Sequence, residues 1–252
     1  MTEASVASSA APPGSRRLRL SFAWVGIVPF VAFALLFLVF PTLQIVTGAF
    51  RNPAGEFTLD NIANLFTPSI MAAYWISIRI SVASAFLGCL IGFLLAWAMV
   101  LGGLPKGVRS PLLTFSGVAS NFAGVPLAFA FLATFGRLGL VTLILRDWFG
   151  INIYAYGFNI LSFGGLTMTY LFFQIPLMIL IVTPALDGMR REWREAASIL
   201  GATGFQYWRM VALPILWPTL LGTFALLFAN SFGAVATAYA LTGSSLSIVP
   251  IL

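Results

Sequence analysis

Histidine is absent from this sequence of 252 residues, and cysteine and charged residues are scarce. Histidine is the commonest general base and a frequent metal ligand, so its absence weighs against an enzyme. The single cysteine, Cys89, can form neither an intrachain disulfide nor a Cys-based metal site. The chain also lacks a G-x-x-x-x-G-K-[ST] phosphate loop, a nucleophile motif and paired carboxylates. We therefore expect no catalytic residue, no metal and no cofactor on this chain.

Charge is rare and unevenly distributed. Only 8% of the residues are charged and 60% are hydrophobic, whereas soluble domains carry about 25% charged residues. The net charge of +6 comes from short basic clusters between long apolar runs, a pattern typical of membrane orientation. The expected surroundings are therefore a lipid bilayer, and nucleic acid is not expected as a partner.

Five apolar runs approach or exceed the roughly 20 residues that a helix needs to cross a hydrocarbon core about 30 Å thick. They cover residues 22–46, 76–101, 112–135, 161–186 and 215–239. The first is longer than the roughly 7–15 residues of a signal-peptide core, so we expect it to be retained. The predicted fold is an all-α, polytopic membrane helix bundle over residues 20–252. Residues 1–19 are predicted to be a disordered cytoplasmic tail.

Basic residues predict the orientation of the bundle. With the N-terminus in the cytoplasm, nine basic residues lie inside and four lie near the outer side. The inner set is Arg16, Arg17, Arg19, Lys106, Arg109, Arg190, Arg191, Arg194 and Arg209, and the outer set is Arg51, Arg79, Arg137 and Arg146. Five spans would then place the C-terminus outside, which suggests that a sixth helix is missing.

Residues 187–214 form the one long charged segment, between the fourth and fifth runs. Apolar residues recur there at helical spacing, and Gly201 can end a short helix in a left-handed conformation. Thr203 and Gln206 have the spacing of a capping box, and Pro214 is expected to close a second helix. Periodicity alone leaves two interpretations open: a hairpin lying on lipid, or an element that docks on a soluble partner.

The spacing of residues in this segment resembles a family motif. Glu195-Ala196-Ala197, Gly201 and Val211-Ala212-Leu213-Pro214 match EAA-x3-G-x9-I-x-L-P, with Val in place of Ile. This motif belongs to permease subunits of binding-protein-dependent ABC importers, the MetI-like transmembrane family. The Gly201-Ala202 pair agrees with the family pattern, as do Pro218 and the run from Asn230 to Gly233. The resemblance favours the docking interpretation.

The resemblance implies a multi-pass permease in the bacterial inner membrane, driven by ATP hydrolysis in other subunits. Two cytoplasmic ATPase subunits would bind ATP and Mg, and a periplasmic binding protein would deliver the solute. A second permease subunit, expected to be a different chain, would complete the path. The residues implied in ATPase coupling are Glu195, Ala196, Ala197, Gly201, Ala202, Leu213 and Pro214. Family members have a further helix beyond the equivalent of Gly243, so the sixth helix is expected either to be truncated here or to differ from that of the family.

Polar residues inside membrane spans are candidates for the translocation path, because their burial in lipid is costly. They are Asn121, Gln174, Asn230 and Ser231. Each of them could instead form a hydrogen bond between helices. General similarity favours the branch of the family that moves polyamines, iron, sulfate, thiamine or phosphonates, and within it we expect a polyamine or another small amine-bearing solute. The alternative function is an ATP-independent secondary transporter or channel, although the spans lack the carboxylates or histidines that would relay protons.

One pair of glycines also has two interpretations. Gly88 and Gly92 lie four residues apart in the second span. Such a pair permits close approach of a neighbouring helix. Glycine is equally well tolerated in membrane helices without such a role.

Overall fold

The structure is a computed structural model that describes residues 23–52 and 54–243. The predicted disordered tail at residues 1–19 lies outside the described residues. The chain divides into two compact units, residues 1–65 and residues 66–252.

The first unit contains one long apolar helix. It consists of α1 (Ala23–Ala34), a π turn (Leu35–Val39) and α2 (Phe40–Ala49). The π turn is wider than an α turn and ends two residues before Pro41, whose ring would clash with an earlier carbonyl in a regular helix. Large apolar side chains such as Phe30 and Ile45 are exposed along it. The predicted first span is therefore confirmed as a helix suited to lipid or protein surroundings. A short helix, α3 (Asp60–Asn64), follows.

The second unit is built around two long helices, α4 (Pro68–Leu101) and α8 (Phe163–Asp187). An added Cβ at Gly92 would lie 2.6 Å from Met178 Cβ, and one at Gly88 would lie 2.9 Å from Gln174 Oε1. Both glycines are buried against α8. The structure therefore favours the close-approach interpretation of this glycine pair.

The predicted third span, residues 112–135, is broken. It consists of α5 (Lys106–Ala119) and α6 (Val125–Phe135), separated by a non-helical turn. Gly124 has φ +77° in that turn, a conformation that glycine adopts at little cost. A further helix, α7 (Leu140–Phe149), forms in the segment predicted to lie on the outer side. The break falls where this apolar run contains Asn121 and Gly124.

The fifth span begins earlier than predicted. It comprises α10 (Gly204–Tyr207), a π turn (Trp208–Ala212) and α11 (Leu213–Phe232). Pro214 was expected to break the chain, but helical structure continues through it. The amide of Leu213 bonds to the carbonyl of Trp208 in the wider π turn, immediately before the proline. After a second break the chain forms α12 (Val235–Thr242). The sixth helix stays a prediction, since residues 244–252 lie outside the described part.

The fold class is all-α, as predicted: residues 23–52 and 54–243 contain helices and no β-strand beyond one isolated bridge. Five stretches there are long and apolar enough to cross a membrane: residues 26–49, 68–101, 125–149, 163–187 and 204–232. Buried side chains form two clusters in the second unit. One surrounds Leu166 and Phe173 near the start of α8, and the other surrounds Met178 and Leu186 near its end.

Candidate functional site

The charged segment contains an exposed helix, α9 (Arg191–Ile199), none of whose residues is buried. Arg191 Nε donates to Glu195 Oε1 at 3.0 Å, an i,i+4 pair on the helix surface. Only Trp193 and Ala197 of α9 are partly covered, so this helix differs from α4 and α8, which bury one face against the other. Residues 187–214 are called the coupling segment below.

The turn after α9 has the predicted geometry. Gly201 has φ +76°, and the amide of Ala202 bonds to the carbonyl of Ala197 at 2.9 Å. Thr203 Oγ1 accepts from the amide of Gln206 at 3.3 Å, while the amide of Thr203 donates to Gln206 Oε1 at 2.7 Å. Both bonds of the predicted capping box are therefore present. They define where α10 starts and the angle at which the chain leaves α9.

Aromatic residues anchor the second half of the coupling segment. The Trp208 ring lies 6.1 Å from Trp97 and 6.5 Å from Phe93, both on α4, in edge-to-face arrangements. Tyr207 and Ala212 are buried beside it. A displacement of α10 would therefore be transmitted to α4 through Trp208 and to α11 through the π turn. Sequence reasoning missed this anchor, since its partners lie about 110 residues away in the chain.

Two cavities flank α9. The first, about 690 Å³, is lined by Arg190, Arg191, Arg194 and Glu195 among others. The second, about 440 Å³, is lined by apolar residues that include Trp193, Ala196, Ala197, Leu200 and Ala202. The coupling candidates Glu195, Ala196, Ala197 and Ala202 therefore line one or the other cavity. Leu213 and Pro214 instead lie in the first turn of α11, beyond the π turn.

The tip of the coupling segment exposes large apolar side chains. Ile199 and Leu200 are each 86% exposed, and Phe205 is 74% exposed. Large apolar side chains exposed on an otherwise charged element are typical of a protein or membrane contact site. With the small Ala197 beside it, this tip is shaped to be covered by another surface.

An ion pair fixes the base of the coupling segment. Arg109, in the first turn of α5, pairs with Asp187 at the end of α8. Sequence reasoning missed this pair. The only local signal was a single acidic residue at the end of an apolar run, and its partner lies 78 positions away.

Two of the four path candidates are buried in a polar cluster between three helices. Ser84 Oγ on α4 lies 2.7 Å from Ser231 Oγ on α11. Gln174 Nε2 on α8 donates to Ser84 Oγ at 3.3 Å and to the carbonyl of Leu227 at 3.2 Å. For Gln174 and Ser231 this geometry matches the alternative interpretation, a hydrogen bond between helices. Sequence reasoning missed Ser84, whose small hydroxyl has no local signal.

The other two path candidates, Asn121 and Asn230, are exposed on the second unit. Asn121 lies in the break between α5 and α6, and its Nδ2 donates to the carbonyl of Gly117 at 3.0 Å. The amide of Gly124, in the same break, donates to Thr237 Oγ1 on α12 at 2.7 Å. Exposed non-helical backbone at membrane depth requires cover by protein or contact with a water-filled cavity. A place for Asn121 on the translocation path stays a prediction.

Comparison with known proteins gives a consistent result. The sequence model of the family described as "Binding-protein-dependent transport system inner membrane component" matches residues 88–252, more than half of the chain. The chain is 28% identical to a probable sulfate transport system permease protein cysT of Chlorella vulgaris. The alignment covers 168 residues, which are 66% of this chain and 59% of that protein. It is 26% identical over 208 residues to the sulfate transport system permease protein CysW of Escherichia coli (strain K12), covering 82% of this chain and 67% of that protein.

Solved structures agree on the fold. A bacterial ABC transporter involved in the import of the acidic polysaccharide alginate matches with a TM-score of 0.68 and 17% identity, over 90% of this chain and 81% of that chain. A bacterial alginate ABC transporter in complex with an alginate pentasaccharide-bound periplasmic protein matches with a TM-score of 0.64 and 18% identity. The match covers 87% of this chain and 78% of that chain. At these identities the likeness shows the fold alone.

Proposed function

The chain belongs to the family of inner membrane components of binding-protein-dependent transport systems, and on that premise we propose that it is a permease subunit of an ATP-driven importer. It is a transport component, and the proposed ATP hydrolysis takes place on partner subunits. The observation that carries this proposal is the coupling segment, where the exposed helix α9, the turn at Gly201 and the anchored α10 coincide with the family motif. The chain spans about three fifths of the Chlorella relative.

The proposed assembly contains two cytoplasmic ATPase subunits, which bind ATP and Mg, and a second permease subunit of different sequence. The apolar tip of the coupling segment would contact an ATPase subunit. The surface that bears Asn121 and Asn230 would face the second permease subunit across the path. A periplasmic binding protein would deliver the solute to an inner-membrane complex whose N-terminus lies in the cytoplasm.

The solute we propose is a small oxyanion such as sulfate. The expectation of a polyamine finds no support, because the relatives described above are named for sulfate. The charge of the spans argues in the same direction. Helices α4, α6 and α11 contain no Asp or Glu. A polyvalent cation would find no countercharge on these helices.

Affinity purification of the full chain in mild detergent, followed by identification of its companions, tests the assembly. Uptake of radiolabelled sulfate into cells, with and without the chain, tests the solute, and labelled spermidine is the control. We expect an ATPase subunit to copurify and sulfate uptake to depend on ATP. Uptake by the isolated chain without ATP would instead identify a secondary transporter or channel.

A further inference from the structure

A polar groove lies on the second unit at the end of the bundle where α8 begins, opposite the coupling segment. Its volume is about 560 Å³, and its lining includes Arg137, Thr142, Arg146, Asn152, Tyr154 and Asn159. We call it the donor groove.

Both asparagines of the donor groove present donors, because their carbonyl oxygens are already occupied. Asn152 Oδ1 accepts from the amides of Tyr154 and Ala155, at 3.1 and 3.4 Å. Asn159 Oδ1 accepts from the amide of Leu161 at 3.0 Å. These bonds fix the orientation of each side-chain amide and leave its Nδ2 group to donate.

Two guanidinium groups add positive charge. Arg137 lies over the Tyr154 ring, with its Cζ atom 5.6 Å from the ring centroid, and is thereby held beside the groove. Arg146 donates through Nε to Asp147 Oδ1 at 2.8 Å, which leaves its terminal nitrogens to donate elsewhere. Asp147 does not line the groove. Two guanidinium groups and one neighbouring carboxylate leave a net positive charge.

Thr142 supplies an unsatisfied polar atom. Its side chain is 4% exposed, and its hydroxyl oxygen has no partner among the described residues. A buried hydroxyl without a partner is costly, so such an atom at a groove is evidence for a missing ligand. Tyr154 already donates its hydroxyl proton to the carbonyl of Phe135 at 2.9 Å.

We propose that the donor groove binds a tetrahedral oxyanion, either free, as inorganic sulfate, or as the phosphate of a lipid headgroup. Guanidinium and amide donors match the oxygens of such a group, and no carboxylate among the lining residues would repel it. The site is separate from the path candidates Asn121 and Asn230. It rests on the chain's own donors and does not require the transport function proposed above.

The test is binding to the full chain in dodecyl maltoside, a detergent without phosphate. Inorganic sulfate is titrated by calorimetry, and retention of phosphatidylglycerol is measured by native mass spectrometry. We expect wild type to bind one or both, and Arg137→Gln and Arg146→Gln each to weaken binding tenfold or more. Arg79→Gln is the matched control, because Arg79 lies over Phe163 and outside the groove. Arg137→Lys keeps the charge but loses the planar fork, so it should be intermediate.

The two sources of the oxyanion are separated by competition. Sulfate binding that persists in saturating phosphatidylglycerol assigns the groove to a free anion, whereas its loss assigns the groove to lipid phosphate. Absence of both ligands from wild type overturns the proposal. Equal binding by Arg137→Gln, Arg146→Gln and Arg79→Gln overturns it as well. The assay includes neither ATPase nor transport, so a negative result here is distinct from failure of the proposed function.

Discussion

Substitution of Gly201 tests the coupling segment directly. This residue has φ +76°, yet a Cβ added to it would meet no heavy atom of the described chain within 4 Å. Substitution therefore strains the backbone of the turn without a steric clash. We expect Asn, Ala and Val at this position to impair coupling in increasing order, because Asn tolerates the left-handed region best and a β-branched residue tolerates it least.

The positive φ of Gly201 sets the size of the loss expected for Gly201→Ala. A non-glycine residue in the left-handed region costs about 1–2 kcal/mol, which corresponds to a factor of roughly 5–30 in the population of the native turn. The cost falls on the turn, because none of the residues of α9 is buried. We therefore expect Gly201→Ala to lower ATPase copurification and uptake about fivefold or more. The thermal midpoint of the bundle should stay unchanged.

The assay compares copurification of the ATPase, ATP-dependent uptake and thermal unfolding for the three variants. Gly204→Ala is the control, since an added Cβ there also meets nothing within 4 Å and its φ is not positive. Wild-type copurification and uptake in Gly201→Val would refute the reasoning. So would a Gly201→Asn variant as impaired as Gly201→Val.

Three further predictions concern stability, each measured by thermal or denaturant unfolding in detergent. Gly92→Ala should destabilise the chain by about 1–3 kcal/mol through overpacking against α8. Gly222→Ala should be neutral, because a Cβ added at Gly222 meets no heavy atom within 4 Å. Equal effects of the two substitutions would contradict the close approach of α4 and α8. Thr203→Ala should cost about 1 kcal/mol by removing the cap, and Thr203→Ser should retain it. Ser84→Ala should destabilise by about 0.6 kcal/mol per lost bond, whereas Thr183→Val, whose hydroxyl is buried without a partner, should not.

The coupling segment could be predicted from the sequence because its signals are local. Gly201 and the Thr203–Gln206 pair act over at most three residues, so propensity and spacing were enough to predict the turn and the capping box. The same holds for the apolar spans, whose length and composition reflect the thickness of the bilayer. Which face of each span is buried depends on its neighbours, and the sequence alone did not reveal that.

Features that depend on distant contacts could not be predicted. The break at Gly124 is stabilised by Thr237, more than 100 residues later, and the anchor of Trp208 depends on Trp97. Pro214 was taken as a stop because the local rule is strong, but the π turn before it removes the conflict. Burial of Gln174 likewise follows from the packing of three helices, which hydropathy does not report.

Helix α11 connects the two parts of the candidate site. The N-terminal end of α11 continues directly from the π turn that contains the anchored Trp208. A displacement of α9 and its turn would therefore move α11 as a nearly rigid body. The C-terminal half of α11 carries Ser231, whose Oγ lies 2.7 Å from Ser84 Oγ on α4. The exposed Asn230 directly precedes Ser231 in the chain. A shift of α11 must therefore either carry α4 with it or break a buried hydrogen bond. Since an unmade bond in the low-dielectric interior is costly, α4 and α11 are expected to move together. On the proposed transport function, we therefore expect the chain to bend at the breaks near Asn121 and Gly233 when the path opens.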